Sequence, residues 1–277
     1  MKIQERPFSH KYMAYCEKWL YICIFVGHIS VHVMKRIPVK LENCPIIESV
    51  LEIRFESDID DNVVFPILYG AIKDDFKSPV ALPVLQIPDN IKKSDPNLRF
   101  QPYYRLFLKG DDDVSLQIGP RVIAFSFTRQ YKGWKSFMDY VSNQIGKLQT
   151  TQVIKRVTRI GFRVINFFEW DIYKKGIELS ICLSGETIPY EETALKTKFI
   201  DGTYQSVVNI VNGAQLNNAS VAKTGSIIDI DTSTMYCEDF FNSIEKYMNE
   251  AHSIEKKIFF RLLTDELISQ LIPSYDE

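Results

Sequence analysis

Strand-like alternation broken by a few amphipathic stretches predicts an α+β fold: a largely antiparallel sheet packed by three or four helices, ending in helix. Three observations carry this. A period-two segment opens the body of the chain at Ile46–Phe55. A meander follows, with turns at Gly110 and Gly119-Pro120. From Phe240 onward, apolar residues recur at helical spacing. No glycine-rich turn between a strand and a helix suggests a doubly wound nucleotide fold.

Taken in order, IIESVLEIRF alternates apolar and polar residues from Val50 and reads as a strand. Phe65-Pro66 then opens a helix, since proline suits a first turn, with Leu68, Ala71, Ile72 and Phe76 as its buried stripe. Between Lys77 and Asn97 lie Pro79, Pro83, Pro88 and Pro96, which predict a long loop. The meander comprises Phe100–Leu108, Val114–Ile118 and Arg121–Phe127, with Val114, Leu116 and Ile118 on one side of their strand. Trp134, Phe137, Met138, Val141, Ile145 and Leu148 mark an amphipathic helix. Further strands are expected at Val153–Phe168, near Ile177–Leu183, at Leu195–Val211 and at Ser226–Asp231, with Asn212-Gly213 as a hairpin turn. Phe240, Ile244, Tyr247, Met248, Ala251, Ile258, Phe259 and Leu262 line the closing helix, and Thr264 caps a last short one.

The 277 residues hold a net charge of −2, which argues against a protein held to nucleic acid by bulk charge. Residues 1–40 are basic and the remainder acidic. The five cysteines (Cys16, Cys23, Cys44, Cys182 and Cys237) form no CxxC pair or zinc spacing and read as reduced thiols in the core of a cytosolic protein. Of four histidines, only His252 lies beyond residue 40. That scarcity removes many histidine-based enzyme classes, and His252 itself reads as a structural donor more than a base. The apolar stretch Trp19–Val33 is too short and too interrupted for a membrane helix. Met34-Lys35-Arg36 reads like a protein start, which favours reading residues 1–33 as an upstream extension over an extra packed element or a membrane or secretion signal. Residues 1–40 then form an N-terminal extension and residues 41–277 one α+β domain, or two intimate halves, 41–150 and 151–277.

The order of several segments from Ile46 on resembles a sporadically distributed prokaryotic family with no assigned activity. They are PIIESVLEIRF, the proline-rich loop, LQIGPRVIAFSF, YKGW at Tyr131–Trp134, VTRIGFRVINFFE, IIDID and AHSIEKKIFFRLLTDEL. The resemblance implies a single α+β protein in a mobile or defence-associated gene setting, and it supplies no catalytic residues.

Three constellations carry candidate chemistry. Lys155, Arg159 and Arg163 fall on one face of their strand, where a row of cations can hold phosphate, or form salt bridges to the acidic remainder. Asp229 and Asp231 share a face opposite Ile228 and Ile230, and paired carboxylates can hold Mg²⁺ or share a proton; the competing reading is a solvent-facing strand edge. Tyr131 and Trp134 can line a pocket or interface, or anchor their helix to the sheet. The leading expectation is a cytoplasmic, non-catalytic binding or regulatory protein with a protein partner and no cofactor. The alternative is an enzyme or sensor of a phosphorylated ligand or nucleic acid that uses the cationic strand.

Overall fold

The computed structural model describes residues 20–25, 28–33, 35–96, 98–129, 131–173, 175–179, 182–184, 186–187, 194–218 and 221–276. The chain divides into two compact units, 1–37 and 38–277. In the first, β1 (Leu20–Phe25) pairs antiparallel with β2 (His28–Val33), so the apolar stretch forms a hairpin. Its expected status as an upstream extension falls largely outside the described residues, and Cys16 and His10 lie outside them too.

The second unit is α+β. After the short β3 (Lys40–Leu41) comes β4 (Ile46–Glu56), whose Leu51, Ile53 and Phe55 are fully buried, as the alternation predicts. Helix α1 (Asp61–Ile72) starts four residues before Phe65, because Asp60 caps it by accepting from the Asn62 N–H at 3.0 Å. Pro66 therefore falls inside the helix, where it removes one donor. The proline-rich segment contains β5 (Val80–Ala81), a turn of 3₁₀ helix at Pro83–Gln86 and the short α2 (Asp89–Ser94). The meander is β6 (Tyr104–Leu108), β7 (Asp111–Ile118) and β8 (Val122–Thr128), and α3 (Trp134–Gln149) follows it.

The chain then returns through β9 (Arg156–Phe168). The expected strand near Ile177–Leu183 is partly outside the described residues; Ile177 makes one bridge to Leu263, and β10 (Cys182–Leu183) pairs with β11 (Glu186–Thr187). The stretch read as one strand from Leu195 to Val211 is two, β12 (Ala194–Asp201) and β13 (Tyr204–Asn218), which turn at Gly202 with φ +56°. Asn212-Gly213 is not the hairpin turn. Gly213 takes φ +68° at a bulge inside β13, where the register with β14 (Val221–Thr234) shifts between Val211 and Ala214. The same positive φ serves a turn or a bulge, and the pairing of Ala214–Asn218 with β14 selects the bulge. Helices α4 (Phe240–Leu262) and α5 (Asp265–Gln270) close the chain, with Thr264 accepting from the Leu267 N–H at 3.2 Å. The short β15 (Pro273–Ser274) then pairs with β3.

Among the described residues, nine strands form one sheet in the order β12-β13-β14-β9-β4-β8-β7-β6-β5, and every neighbouring pair is antiparallel. Two halves share one plan. β4 and β9 pair at the centre, each is flanked by the last strand of its own meander (β8 or β14), and each meander is followed by a helix, α3 or α4. Both helices cover the same face of the sheet. Phe137, Val141, Ile145 and Leu148 of α3 join Met248 and Ala251 of α4 over Leu51, Ile53, Phe125, Phe162 and Val164. Each large apolar side chain buried there contributes roughly 1.5–3 kcal/mol. Cys237 lies in this core, whereas Cys44 is exposed, so the core reading of the thiols holds for only one of these two. No described helix is long and apolar enough to cross a membrane.

Candidate functional site

On the sheet face away from α3 and α4, alternation brings Arg159, Arg163, Asp229 and Asp231 together. Arg163 grips Asp229 with both forks, Nε to Oδ1 at 2.7 Å and Nη2 to Oδ2 at 2.8 Å, and Asn209 Nδ2 donates to Oδ2 at 3.1 Å. Arg159 spans Glu52 Oε1 at 2.7 Å and Asp231 Oδ2 at 2.9 Å, while Arg54 Nε reaches the same Glu52 oxygen at 2.7 Å. Gly161 makes the Arg159 pose possible: a Cβ there would stand 2.4 Å from Nη1. Three guanidiniums thus meet three carboxylates in direct ion pairs. The paired Asp229 raises the Arg163 pKa, while burial pushes Asp231 up against the opposing pull of Arg159.

Two sequence readings change here. Lys155 does not share the face of Arg159 and Arg163, because the β4–β9 register shifts between Arg54↔Arg159 and Phe55↔Val157. The extra residue Thr158 reverses the alternation, Val157 turns into the core, and Lys155 Nζ instead reaches Asp58 at 2.5 Å. Asp229 and Asp231 do share a face, but not at a solvent-facing edge. β14 lies between β13 and β9, and Asp229 is only 7% exposed. Among the described residues, no group of three or more His, Cys, Asp or Glu side chains could hold a metal ion.

The other candidates, Tyr131 and Trp134, lead to the opposite face, where a pocket of about 490 Å³ opens beside the helices. Phe162, Val164 and Asn166 of β9 line it together with His252, Glu255, Lys256, Phe259 and Phe260 of α4 and the segment Tyr131–Trp134. A strap from Pro38 to Ile46 completes the lining. That strap is tied down by the C-terminal residues: Val39 N–H donates to Ser274 O (2.8 Å), Glu42 N–H to Ile272 O (3.1 Å) and Asn43 N–H to Leu271 O (3.2 Å). Lys256 Nζ donates to Pro38 O at 2.9 Å, which fastens α4 to the strap.

Local sequence explains each wall. Gly133 at φ +90° takes the N-cap position of α3 and delivers Trp134 as its first helical residue. Trp134 stacks on His252 at 3.9 Å and 11°, meets Phe162 edge-on at 5.1 Å, and donates Nε1–H to Asn249 Oδ1 at 2.8 Å. It is therefore both helix anchor and pocket wall. On α4, His252, Glu255 and Phe259 are spaced at i, i+3 and i+7 and present one face.

Glu255 is 4% exposed and has no hydrogen-bond partner among the described residues; the same lack of a partner applies to the Tyr131 phenol and the His252 imidazole. Burial pushes the Glu255 carboxyl up to about 8, and the neighbouring Lys256 only partly opposes this. Burial, assisted by the Lys256 charge, pushes His252 down to about 3, and burial also raises Tyr131. All three groups are thus neutral near pH 7 and can both donate and accept. Among the described residues, neither His252 nor Glu255 hydrogen-bonds Cys44, the thiol on the strap, and desolvation raises the Cys44 pKa. Glu255 was missed in the sequence, although an acid between Met248, Ala251, Ile258 and Phe259 on an apolar stripe was a visible signal.

No protein-family model matches the chain, and no curated protein matches it either.

Proposed function

We propose that this is a non-catalytic binding protein of the cytoplasm whose pocket between α4, β9 and the Tyr131–Trp134 segment takes a small, partly aromatic molecule. One observation carries the reading: three neutral polar groups, Tyr131, His252 and Glu255, line an aromatic-walled cavity with no hydrogen-bond partner among the described residues. Buried polar groups are normally hydrogen-bonded, and leaving one unmet costs about 1–3 kcal/mol, which a ligand can recover. A mostly apolar pocket of about 490 Å³ with a few convergent polar groups fits a drug-sized ligand. A binding role also suits His252, since a side chain that stays neutral down to about pH 3 is a weak general base. The resemblance to a sporadically distributed prokaryotic family adds a mobile or defence-associated gene setting to the proposal.

A fragment screen by NMR tests it. Bound fragments are expected to shift the Trp134 indole N–H resonance, leave that of Trp170 in place, and be recovered chemically unchanged. A screen in which no fragment moves Trp134, or in which a bound molecule is converted, overturns the reading.

A second reading, a protein partner, draws on a different place. Ile200 and Tyr236 are 76% and 66% exposed and, with Met235 and Phe199, gather at one end of β12–β14. Apolar side chains exposed together are a common mark of protein contact. Cross-linking through a photoreactive residue at position 236 in the native host tests it, and recovery of the uncross-linked chain alone sinks it.

A further inference from the structure

Resting on the pocket reading above, we infer that the ligand is an uncharged flat heterocycle whose edge carries an N–H donor beside an acceptor, and that Glu255 reads this edge. Glu255 is almost wholly buried, lines the cavity and has no hydrogen-bond partner among the described residues, so its carboxyl is available to a ligand. A neutral carboxyl offers one O–H donor and one carbonyl acceptor side by side, the complement of a lactam or amidine edge. The surrounding rings of Trp134, Phe162, Phe259 and Tyr131 favour a flat partner, which gains by stacking or edge-on contact.

The charges facing the pocket argue against a cationic ligand. Lys256 follows Glu255 on α4 and is held by Pro38 O; Lys132 at the mouth is paired with Asp111; and Lys40 adds a further positive charge from the strap. Tyr131, Cys44 and His252, the remaining titratable groups of the lining, add no negative charge near neutral pH. The lining thus holds three lysines and a single acid, Glu255, which disfavours a cation. A neutral edge binds without ionising Glu255, and its binding favours the protonated carboxyl. Affinity is therefore full below pH 8 and falls as pH rises above it.

The experiment titrates the full chain with adenosine, cytidine and uridine, each of which carries a donor–acceptor edge. N6,N6-dimethyladenosine, N4,N4-dimethylcytidine and N3-methyluridine lack the donor, and benzamidine supplies a cation with donors only. At least one nucleoside should bind the wild-type protein, and its methylated counterpart should bind about tenfold more weakly, the worth of one hydrogen bond. Glu255→Gln, whose amide also offers a donor beside an acceptor, should keep the affinity within about threefold and abolish its decline above pH 8. Glu255→Ala should lose about tenfold. The inference is overturned if no nucleoside binds, if methylation makes no difference, or if benzamidine binds best and Glu255→Gln abolishes it. Should library fragments still shift Trp134 in that event, the pocket reading survives and edge recognition alone fails; if they do not, both fail.

Discussion

Replacing Glu255 by Gln should change how stability depends on pH, and the size of the change follows from two neighbours on α4. A glutamate ordinarily titrates near 4.5, and burial lifts Glu255 to about 8. Between those values the folded chain holds a proton that the unfolded chain has released. Stability from this group therefore falls as pH rises, by about 1.4 kcal/mol per unit. His252 works the other way: its ordinary 6.5 drops to about 3, so between those values the unfolded chain binds the extra proton and stability rises with pH. The two slopes oppose each other from 4.5 to 6.5. From 6.5 to 8 Glu255 acts without that opposition, and the loss over this window is about 2 kcal/mol. Urea unfolding of both proteins at half-unit steps across pH 6.5–8 measures it. The wild-type chain should lose stability relative to Glu255→Gln by about 2 kcal/mol over the window, while the variant lacks this component. Parallel curves would falsify the claim that this carboxyl is buried and unpaired.

Gly161→Ala should displace the Arg159 guanidinium and cost about 1–2 kcal/mol in a urea titration, since the clash is with a movable side-chain end. Gly225→Ala should cost more, about 3 kcal/mol or above, because its Cβ would stand 2.0 Å from the Phe168 backbone oxygen; the reverse order of the two glycines refutes this account. Arg163→Ala should destabilise by about 2 kcal/mol by leaving Asp229 buried and unmatched, and Asp229→Ala in the same background should restore part of the loss. A double variant no better than Arg163→Ala counts against that pair. Trp134→Ala should cost about 3 kcal/mol, read by chemical denaturation, through its lost packing on His252 and Phe162. A loss under 1 kcal/mol would remove Trp134 from the structural role of anchor.

Most of the fold was legible because its signals are local. Ile46–Phe55, Val114–Ile118 and the α3 and α4 stripes bury the residues that their period selects. Two of the misreadings share one cause, which is that pairing partners lie far away in sequence. Asn212-Gly213 supplies a positive φ, but only β14 determines that the strand continues past it. Likewise nothing near Thr158 announces a bulge, since it exists only against β4. The site was half visible. Tyr131 and Trp134 were found from their residue types, whereas Glu255 became a site residue only when α4 was laid over β9 and beneath the Pro38–Ile46 strap.

The shared plan of the two halves explains why the cavity opens where it does. In the first half a helix, α1, follows the central strand; it packs against α3 and adds Val64, Leu68 and Ile72 to the core. In the second half no helix is described between β9 and β12, and the helix after the meander is longer, 23 residues in α4 against 16 in α3. α4 meets the start of α3 at its thirteenth residue, where His252 stacks on Trp134, and its added length brings Lys256, Phe259 and Phe260 to the pocket lined by Phe162, Val164 and Asn166. The ordinary hydrophobic stripe thus runs out beside a floor over which no second helix is described, and a strap nine residues long, Pro38–Ile46, completes the lining. Core packing would place an apolar side chain at position 255, as it does at Met248 and Ala251. An acid there is a local conflict with the fold, and such conflicts persist where function maintains them.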